Sequence, residues 1–316
     1  MRDHIHPQST KRKATALLLA LAALGLTACG PMTPPERAVE QGLSIGNGLS
    51  PNGLSQNGLS QNGLSQNGLS QNGLSQNGLS QNGLGTSFTT WFNQDRATAD
   101  VVMQYLVRCA VASGQVRTWT NPLTGVSYTW AGALGLAPGW ASGAVATTTE
   151  RQLITACLAA HVNKYGVHVS ISVQGRNSTG FAIPLEWNEL TSYSVREACF
   201  FGNLFDGEGI FVGEDHAPWN SSYSSVRACA LDYTYGPTPD CSPLVVVGDC
   251  STLCTLDPGG TYYTSCSYAG KSYKPLTTRL RSSDIYRCGD GTCQFTESCG
   301  SGYSYSNCQS DCGRCW

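Results

Sequence analysis

The cysteines constrain the fold of this chain more than any other feature. The chain carries 15 cysteines in 316 residues, and six of them fall within residues 288–315. A segment that short cannot bury a sufficient apolar core, so we expect disulfide bonds to hold it together. The odd total also leaves at least one cysteine outside any set of intramolecular pairs, which needs an explanation if the protein is exported.

The N-terminal residues predict export. Arg2 and residues 11–13 (KRK) are basic, and residues 14–26 (ATALLLALAALGL) form an apolar run of about 13 residues. Such a run is too short to cross a bilayer as a permanent helix, whereas a basic segment followed by a short apolar run is typical of a signal peptide. We therefore interpret residues 1–28 as a signal peptide.

The end of this segment, residues 26–29 (LTAC), resembles the bacterial lipobox. The resemblance implies that Cys29 receives diacylglycerol, and with it fatty acyl chains such as palmitate, before the preceding peptide bond is cut. The alternative is a plain secretory signal that leaves Cys29 as an ordinary thiol. Gly30 stands where an aspartate would resemble the inner-membrane retention signal of some Gram-negative lipoproteins, so we expect an outer-membrane or cell-surface protein of a Gram-negative bacterium.

A lipid on Cys29 also explains the odd cysteine, because it leaves an even set of 14. In an oxidising compartment this set can form up to seven disulfide bonds. Zinc is the alternative use of clustered cysteines, and Cys312 and Cys315 have the spacing of a zinc ligand pair. The predicted disulfide cysteines are Cys109, Cys157, Cys199, Cys229, Cys241, Cys250, Cys254, Cys266, Cys288, Cys293, Cys299, Cys308, Cys312 and Cys315.

The charge of the mature chain argues against nucleic acid as a partner. Removing residues 1–28 takes away four basic residues and one acidic residue, which leaves 15 basic residues against 20 acidic ones and a net charge of −5. Phosphate binding depends on clustered lysine and arginine, and the sequence has no such cluster after the signal peptide. The expected contact with a membrane is through the N-terminal lipid.

Composition divides the mature chain into a lipidated tether (residues 29–41), a repeat (42–87), a domain of mixed composition (88–283) and a cysteine-rich module (284–316). The repeat unit is NGLSQ. A period of five places successive leucines on alternating faces of a strand and about 140° apart around a helix. A glycine in every copy weakens a helix further, and Asn-Gly favours turns. We therefore predict a flexible spacer.

Two resemblances bear on the repeat. The NGLSQ unit resembles pentapeptide-repeat proteins in its leucine and the serine that follows, which implies a short β-coil as the alternative to a spacer. The layout of lipobox, N-G-L pentamers, tryptophan-rich domain and cysteine-rich end is similar to a group of Gram-negative lipoproteins. That similarity implies localisation and says nothing about activity or substrate.

The central domain predicts an α+β fold, with two helices packed on a mostly antiparallel sheet. Val102, Tyr105, Leu106 and Cys109 form the apolar stripe of a first helix that should end near Gly114. A second helix should begin at a capping box formed by Thr147 and Glu150 and run to Gly166. Each helix carries one cysteine on its apolar side, so a bond between Cys109 and Cys157 is the pairing we predict.

Strands should follow and separate these helices. Residues 115–132 predict a hairpin, because valine, threonine, tryptophan and tyrosine flank an Asn-Pro turn. Residues 167–174 alternate between apolar and polar side chains, which predicts a strand with one face in the core and His168 on the polar face. Shorter strand candidates continue to residue 248, separated by glycine, proline and asparagine.

Candidates for catalysis are few. The chain has no zinc-protease helix, nucleophile elbow, Walker loop or dinucleotide fingerprint. His161 could serve as a general base. The region from Asp206 to His216 is rich in carboxylates, and Glu208, Glu214 and Asp215 in it could cleave a glycosidic bond or bind calcium. The competing interpretations are a buried structural histidine and solvated turn residues.

The tryptophans give a different candidate surface. Trp119, Trp130 and Trp140 lie in and after the predicted hairpin, and Trp187 and Trp219 lie in later loops. Several tryptophans on one exposed face could stack on sugar rings or anchor a protein. Filling the core is the alternative.

The chain ends in CGDGTCQFTESCGSGYSYSNCQSDCGRC, which resembles short cysteine-rich modules of bacterial extracellular proteins with the pattern CGDGxC…ExC…CxxDCG. An insert between Cys299 and Cys308 departs from the usual spacing. The resemblance implies a small disulfide-bonded module without enzyme activity. Asp290, Glu297 and Asp311 could hold a calcium ion, or they could cap turns.

These observations predict a surface lipoprotein that displays a non-catalytic, disulfide-stabilised domain, with a glycan or a protein as its ligand and no cofactor. The alternative is a secreted hydrolase that acts on polysaccharide or peptidoglycan through the carboxylates near Asp215 or through His161.

Overall fold

The computed structural model describes residues 44–47, 84–162, 169–215, 223–225, 244–281, 285–289, 291, 293, 299–301, 303–304 and 307–315. All of them belong to one compact unit, Gln41–Trp316. Within these residues, no helix has the length and apolar character needed to span a membrane.

The described chain contains helices and short strands in mixed order. The helices are α1 (Thr86–Gln94), α2 (Arg96–Ala110), α3 (Pro138–Ala141), α4 (Thr148–Ala160), α5 (Glu189–Ser192), α6 (Cys250–Leu253) and α7 (Gln309–Cys312), with a 3₁₀ turn at Leu204–Asp206. The strands are β1 (Ser44–Asn47), β2 (Val116–Thr120), β3 (Ser127–Ala131), β4 (Val169–Gln174), β5 (Val195–Asn203), β6 (Gly209–Glu214), β7 (Tyr223–Ser225), β8 (Leu244–Asp249), β9 (Cys254–Leu256), β10 (Tyr263–Tyr268), β11 (Lys271–Tyr273), β12 (Leu276–Leu280), β13 (Ile285–Arg287), β14 (Tyr303–Ser304) and β15 (Asn307–Cys308).

The main sheet has six strands in the order β1-β4-β12-β5-β6-β8, and every pair except β6–β8 is antiparallel. Alternation along β5 separates its two faces. Ala198 and Phe200 pack into the main core with the helices, whereas Cys199 and Phe201 join a second cluster with the small sheet β11-β10-β9. The predicted α+β class is confirmed, with α4 lying directly on the sheet and α2 packing against α4 and the β2–β3 hairpin.

Helix α2 buries its predicted stripe but ends earlier than predicted. Asp95 caps it by accepting a hydrogen bond from the Thr98 N–H, at 3.2 Å. The helix stops at Ala110, not at Gly114, because the extended segment that follows β3 competes for its last carbonyl groups. The N–H groups of Leu136 and Ala137 donate to the carbonyls of Cys109 and Ala110.

Helix α4 begins at the predicted capping box. The Glu150 N–H donates to the Thr147 hydroxyl at 3.2 Å, and the Thr147 N–H donates to the Glu150 carboxylate at 2.9 Å. The predicted end at Gly166 is wrong, since the helix ends at Ala160 and His161 is its C-terminal cap. The carboxylate of Glu150 also accepts hydrogen bonds from the N–H groups of Gly139 and Trp140, which ties α3 to α4.

The predicted hairpin forms as β2 and β3, and its tryptophans lie in the core. Trp119 packs edge-on against Phe88 at 4.8 Å between ring centroids. The indole N–H of Trp130 donates to Asp100 at 2.7 Å, and Trp140 is fully buried. The core-filling interpretation therefore holds for these three, whereas Trp187 is exposed and Trp219 lies outside the described residues.

Strand β4 buries both of its faces, although its alternation predicts one face in the core. Ile171 and Val173 join the main core as expected. Ser172 and Gln174 are also buried, because the loop ending in α5 covers them and Glu189 accepts a 2.6 Å hydrogen bond from the Ser172 hydroxyl. His168 lies outside the described residues.

Within the described residues, six disulfide bonds join twelve of the predicted cysteines. The predicted bond between Cys109 and Cys157 is confirmed and links α2 to α4. The zinc alternative for Cys312 and Cys315 is wrong, because both are in disulfides. Cys29, Cys229 and Cys241 lie outside the described residues. The other bonds are Cys199–Cys250, Cys254–Cys266, Cys288–Cys308, Cys293–Cys312 and Cys299–Cys315.

The end of the repeat is part of the domain. Leu84, the leucine of the last pentamer, is buried in the main core together with Phe88 of α1. At the other end of the repeat, β1 pairs with β4 so that Ile45 lies opposite Ile171. Residues 48–83 lie outside the described part of the chain.

Candidate binding cleft

The predicted catalytic carboxylates do not converge. Glu214 is the last residue of β6 and Asp215 follows it, so the two side chains point to opposite sides of the sheet. Both are buried on their own side. Asp215 lies 2.8 Å from the Nε atom of Arg196 and accepts a 2.9 Å hydrogen bond from the hydroxyl of Tyr263.

Glu208 lies in the turn before β6 and forms an ion pair. Its carboxylate is 2.7 Å from the Nζ atom of Lys271, and the hydrogen bond to Glu208 raises the pKa of that lysine. Burial, followed by the negative charge of Glu208, raises the pKa of Tyr273. Asn203 caps the 3₁₀ turn by accepting a hydrogen bond from the Asp206 N–H, and its amide donates to the Asp206 carboxylate, which also pairs with Arg151 at 3.3 Å. His216 lies outside the described residues.

His161 is a core residue. Its ring is fully buried, its Nδ1 atom donates to the carbonyl oxygen of Cys157 at 2.7 Å, and its ring centroid lies 5.2 Å from that of Tyr105. The Cys157 sulfur is 3.7 Å away but is bonded to Cys109, so it offers no thiolate. The structural interpretation of His161 fits these contacts.

Of the three calcium candidates in the C-terminal module, Asp311 is the one that lies in the described residues, and it binds backbone groups. Its carboxylate accepts hydrogen bonds from the N–H groups of Gly289 at 2.6 Å and Gly291 at 3.2 Å. These contacts match the turn-capping interpretation. Asp290 and Glu297 lie outside the described residues.

A cleft of about 180 Å³ opens where α4, the turn after β4, the start of β10 and the β11–β12 link meet. Its walls combine hydroxyl, amide and cationic side chains with two tyrosines and a leucine. The lining residues are Thr149, Leu153, Arg176, Asn177, Ser178, Gly180, Tyr262, Tyr263, Thr264, Lys274 and Pro275.

Local hydrogen bonds fix the turn that forms one wall. The Asn177 side chain accepts from the N–H groups of Thr179 at 3.1 Å and Phe181 at 3.0 Å. Gly180 has a φ of +89°, which glycine adopts without strain. The Arg176 guanidinium donates to the Gly180 carbonyl at 2.8 Å, so the arginine is held at the rim of the cleft.

A single glutamine side chain fixes the opposite wall. Gln152 of α4 accepts a 3.1 Å hydrogen bond from the Lys274 N–H and donates to the carbonyl of Ser272 at 3.3 Å. The link between β11 and β12 is therefore tied to the helix. The Lys274 side chain is exposed and has no ion-pair partner among the described residues.

Two carboxylates, Asp257 and Asp215, hold the tyrosines that line the cleft. Asp257 accepts hydrogen bonds from the N–H groups of Gly259, Thr261 and Tyr262. Burial alone would raise the pKa of Asp257, but these hydrogen bonds, with a smaller effect of Arg176, lower it below the ordinary value. Burial, together with the charge of Asp215, raises the pKa of Tyr263, so this phenol stays neutral at ordinary pH.

The lining of the cleft offers charge and hydrogen bonds. Arg176 and Lys274 supply positive charge, and the hydroxyl and amide groups supply hydrogen bonds. Of the described residues that line the cleft, none is an aspartate, glutamate, histidine or cysteine. The positive charge favours an anionic, hydrogen-bonding ligand.

Comparison with known proteins gives a match in the repeat. The family model described as GLTT repeat matches residues 48–75, in six copies. No curated protein and no solved structure matches the chain. The N-terminal region is thus repeat-bearing, as predicted, and the match does not extend to the cleft.

The sequence contains no motif for this cleft because its two cations are far apart in the chain. Gln174 of β4 lies opposite Thr277 of β12 in an antiparallel register. Continuing that register brings the residue after Gly175, which is Arg176, beside the Lys274–Pro275 link. A correct strand pairing would have placed them together, but the sequence alone does not give the pairing.

Proposed function

We propose that this chain is an exported lipoprotein, anchored through Cys29 in the outer membrane or at the cell surface, whose disulfide-bonded domain binds a ligand without transforming it. The signal peptide, the lipobox and the cysteine parity support export and anchoring. The residues between Cys29 and β1 would link the lipid to the domain, whereas the repeat matched at residues 48–75 lies between two segments of the domain, β1 and Leu84.

The observation that carries the binding role is the composition of the cleft. Two cations line the cleft together with hydroxyl and amide groups, and none of the described lining residues is an aspartate, glutamate, histidine or cysteine. The residues with catalytic potential in the described part of the chain have structural partners elsewhere, namely Arg196 for Asp215 and Lys271 for Glu208. A glycosidase needs two carboxyl groups on either side of one bond. Glu214 and Asp215 lie on opposite sides of a sheet, which does not favour the hydrolase alternative.

The ligand class that fits this lining is an acidic glycan. Arginine binds carboxylates and phosphates through two parallel hydrogen bonds, and a lysine ammonium adds a point charge. The hydroxyl and amide groups of Thr149, Asn177 and Ser178 suit the hydroxyl groups of a sugar. A positively lined cleft in a chain of net charge −5 would also repel the ligand less than the rest of the surface does.

Calorimetry with the Cys29→Ser chain tests the binding role, with polygalacturonate as the acidic probe and dextran as the neutral one. We expect binding of polygalacturonate that weakens with salt, and no binding of dextran. Arg176→Ala and Lys274→Ala should each weaken binding by about tenfold, since each removes a charge-assisted contact.

Lys271→Ala is the matched control for Lys274→Ala. Lys271 is also an exposed lysine three residues away, but it pairs with Glu208 and does not line the cleft. Binding that is equally strong for dextran, or an equal loss in the Lys271 variant, would contradict the assignment of the cleft.

A separate experiment tests the proposed lipid anchor at Cys29. Cys29→Ser should move the protein from the membrane fraction to the soluble fraction after export, because it removes the acyl chains that would insert into the bilayer. A variant that stays fully in the washed membrane fraction would refute lipid anchoring through Cys29.

A further inference from the structure

An exposed apolar loop lies between β4 and β5. It comprises residues 181–190 (FAIPLEWNEL), and four of its side chains are exposed hydrophobic ones: Phe181, Leu185, Trp187 and Leu190. Trp187 is 93% exposed and Phe181 is 73% exposed. Large apolar side chains gathered on one short surface segment mark a site of interaction.

A buried side chain and several hydrogen bonds fix the loop to the domain. Ile183 is buried, and its N–H donates to the carbonyl of Gly175 at 3.0 Å. The buried carboxylate of Glu189 accepts hydrogen bonds from the Ser172 hydroxyl at 2.6 Å and from the Glu186 N–H at 2.9 Å. Asn188 has a φ of +67°, a left-handed conformation that turns the chain immediately after Trp187. Buried residues before and after Trp187 thus hold its indole ring in an exposed position.

Arginines stand at both ends of the loop. Before it, the Arg176 guanidinium is bound to the Gly180 carbonyl, next to Phe181. After it, Arg281 lies 5.6 Å from the centroid of the Tyr193 ring, and Arg279 donates to the carbonyl of Ser194 at 3.2 Å. The loop itself carries one exposed carboxylate, Glu186. Arginines therefore stand on both sides of the loop, with Asp257 near Arg176 and Asp215 near Arg279.

We propose that residues 181–190 form a membrane-contacting loop that places Trp187, Phe181 and the exposed leucines in the interfacial region of an anionic phospholipid bilayer. Tryptophan is enriched at that depth, where its ring meets apolar groups and its N–H meets polar ones. Arginines beside the loop would lie among anionic headgroups.

Two other occupants fit the loop less well. A sugar that stacks on an aromatic ring also needs several hydrogen-bonding side chains around it. Within residues 181–190 the exposed ones are Glu186 and Asn188, whereas Phe181, Leu185 and Leu190 offer none. A second copy of the chain would have to provide an apolar pocket for the indole, and the cleft described above is polar and cationic.

The loop complements the proposed lipid at Cys29. The acyl chains proposed on Cys29 would hold the chain at the bilayer. The loop would add a second contact and would orient the domain on the bilayer. The inference does not depend on the proposed ligand of the cleft.

Vesicle binding of the Cys29→Ser chain tests the loop without the contribution of a lipid. The probes are vesicles of phosphatidylcholine alone and of phosphatidylcholine mixed with phosphatidylglycerol, and the readout is co-sedimentation. We expect binding to the mixed vesicles that decreases with salt. Trp187→Ala should weaken it by about tenfold, because binding scales with the apolar area inserted.

Leu123→Ala is the matched control, because Leu123 is 72% exposed but lies at the turn of the β2–β3 hairpin. It should bind vesicles as the parent does. Failure of the parent to bind either vesicle, or an equal loss in the Leu123 and Trp187 variants, would overturn the proposal. Concentration-dependent association of the parent that Trp187→Ala abolishes would overturn it too, in favour of a contact between copies.

Discussion

The Nε atom of Arg196 lies 2.8 Å from a carboxylate oxygen of Asp215, and the hydroxyl of Tyr263 donates to the other oxygen of the same carboxylate at 2.9 Å. Asp215 is buried, so this arrangement joins β5, the end of β6 and β10 at a site with little access to water. The carboxylate that looked like a catalytic candidate in the sequence therefore stabilises the contact between the main sheet and the small sheet.

Replacing Asp215 with asparagine should lower the free energy of unfolding. The change leaves a partly buried Arg196 without its counter-ion, and breaking a buried pair from one side costs about 3 kcal/mol, less where one partner is partly exposed as here. Urea denaturation measures the change. Ligand binding at the cleft should stay within about twofold of the parent, because Asp215 does not line it.

Glu208→Gln is the control for that variant. Its partner Lys271 is exposed, and exposed ion pairs contribute about 0.5 kcal/mol or less. An equal loss of stability in both variants would show that burial does not distinguish the two pairs.

The bond between Cys109 and Cys157 should be a large contributor to stability. The two cysteines are 48 residues apart, and closing a loop of that length corresponds to about 4 kcal/mol in the chain-entropy treatment. The double variant Cys109→Ala, Cys157→Ala should lower the urea midpoint accordingly. Removing Cys299–Cys315, which closes a loop of 16 residues, should lower that midpoint less, because the same treatment gives about 3 kcal/mol. A larger effect of the C-terminal bond would contradict this order.

Acid should weaken the loop that positions Tyr262. The folded pKa of Asp257 is lowered, so the contribution of this carboxylate is present above the unfolded value of 3.8 and is lost as the pH falls through the folded value. Thermal unfolding of the parent and of Asp257→Ala, followed from neutral pH down to about pH 3, measures this. The difference between the two proteins should shrink as the pH falls, and a constant difference would refute a role for the charged form.

The last pentamer should differ from the others in its effect on stability. Leu84 is buried with Phe88, so Leu84→Ala removes core contacts and should cost about 2 kcal/mol. Leu74→Ala changes the same position of the repeat two copies earlier, in the predicted spacer, and should be neutral in the same denaturation experiment. A loss at Leu74 as large as that at Leu84 would contradict the spacer.

Local signals in the sequence predicted the local parts of this structure. The capping box of Thr147 and Glu150 needs only four consecutive residues, and the helical stripe that carries Cys109 needs only a few turns. Cys109 and Cys157 could be paired because two neighbouring helices each present one cysteine to the core. These features depend on spacing within a helix, which the sequence states directly.

The formation of the cleft and the partners of the carboxylates depend on which distant strands pair and in which register. Arg176 and Lys274 meet because β4 pairs with β12, and no local pattern contains that pairing. The density of acids around Glu214 suggested convergence, but consecutive residues of a strand point apart. The burial of Ser172 could not be predicted from a local pattern either, because it depends on Glu189, seventeen residues later in the chain, whose loop closes over β4.

Helix α4 has a consequence for the thermodynamics of ligand capture. Its residues Thr149 and Leu153 line the cleft, Gln152 holds the opposite wall, Glu150 fixes its first turn and Cys157 bonds its last turn to α2. A receptor held in this way loses little conformational freedom when a ligand arrives. Most of the conformational entropy lost on binding is then lost by the ligand. Stiff glycan chains should therefore be bound more tightly than flexible ones of the same charge.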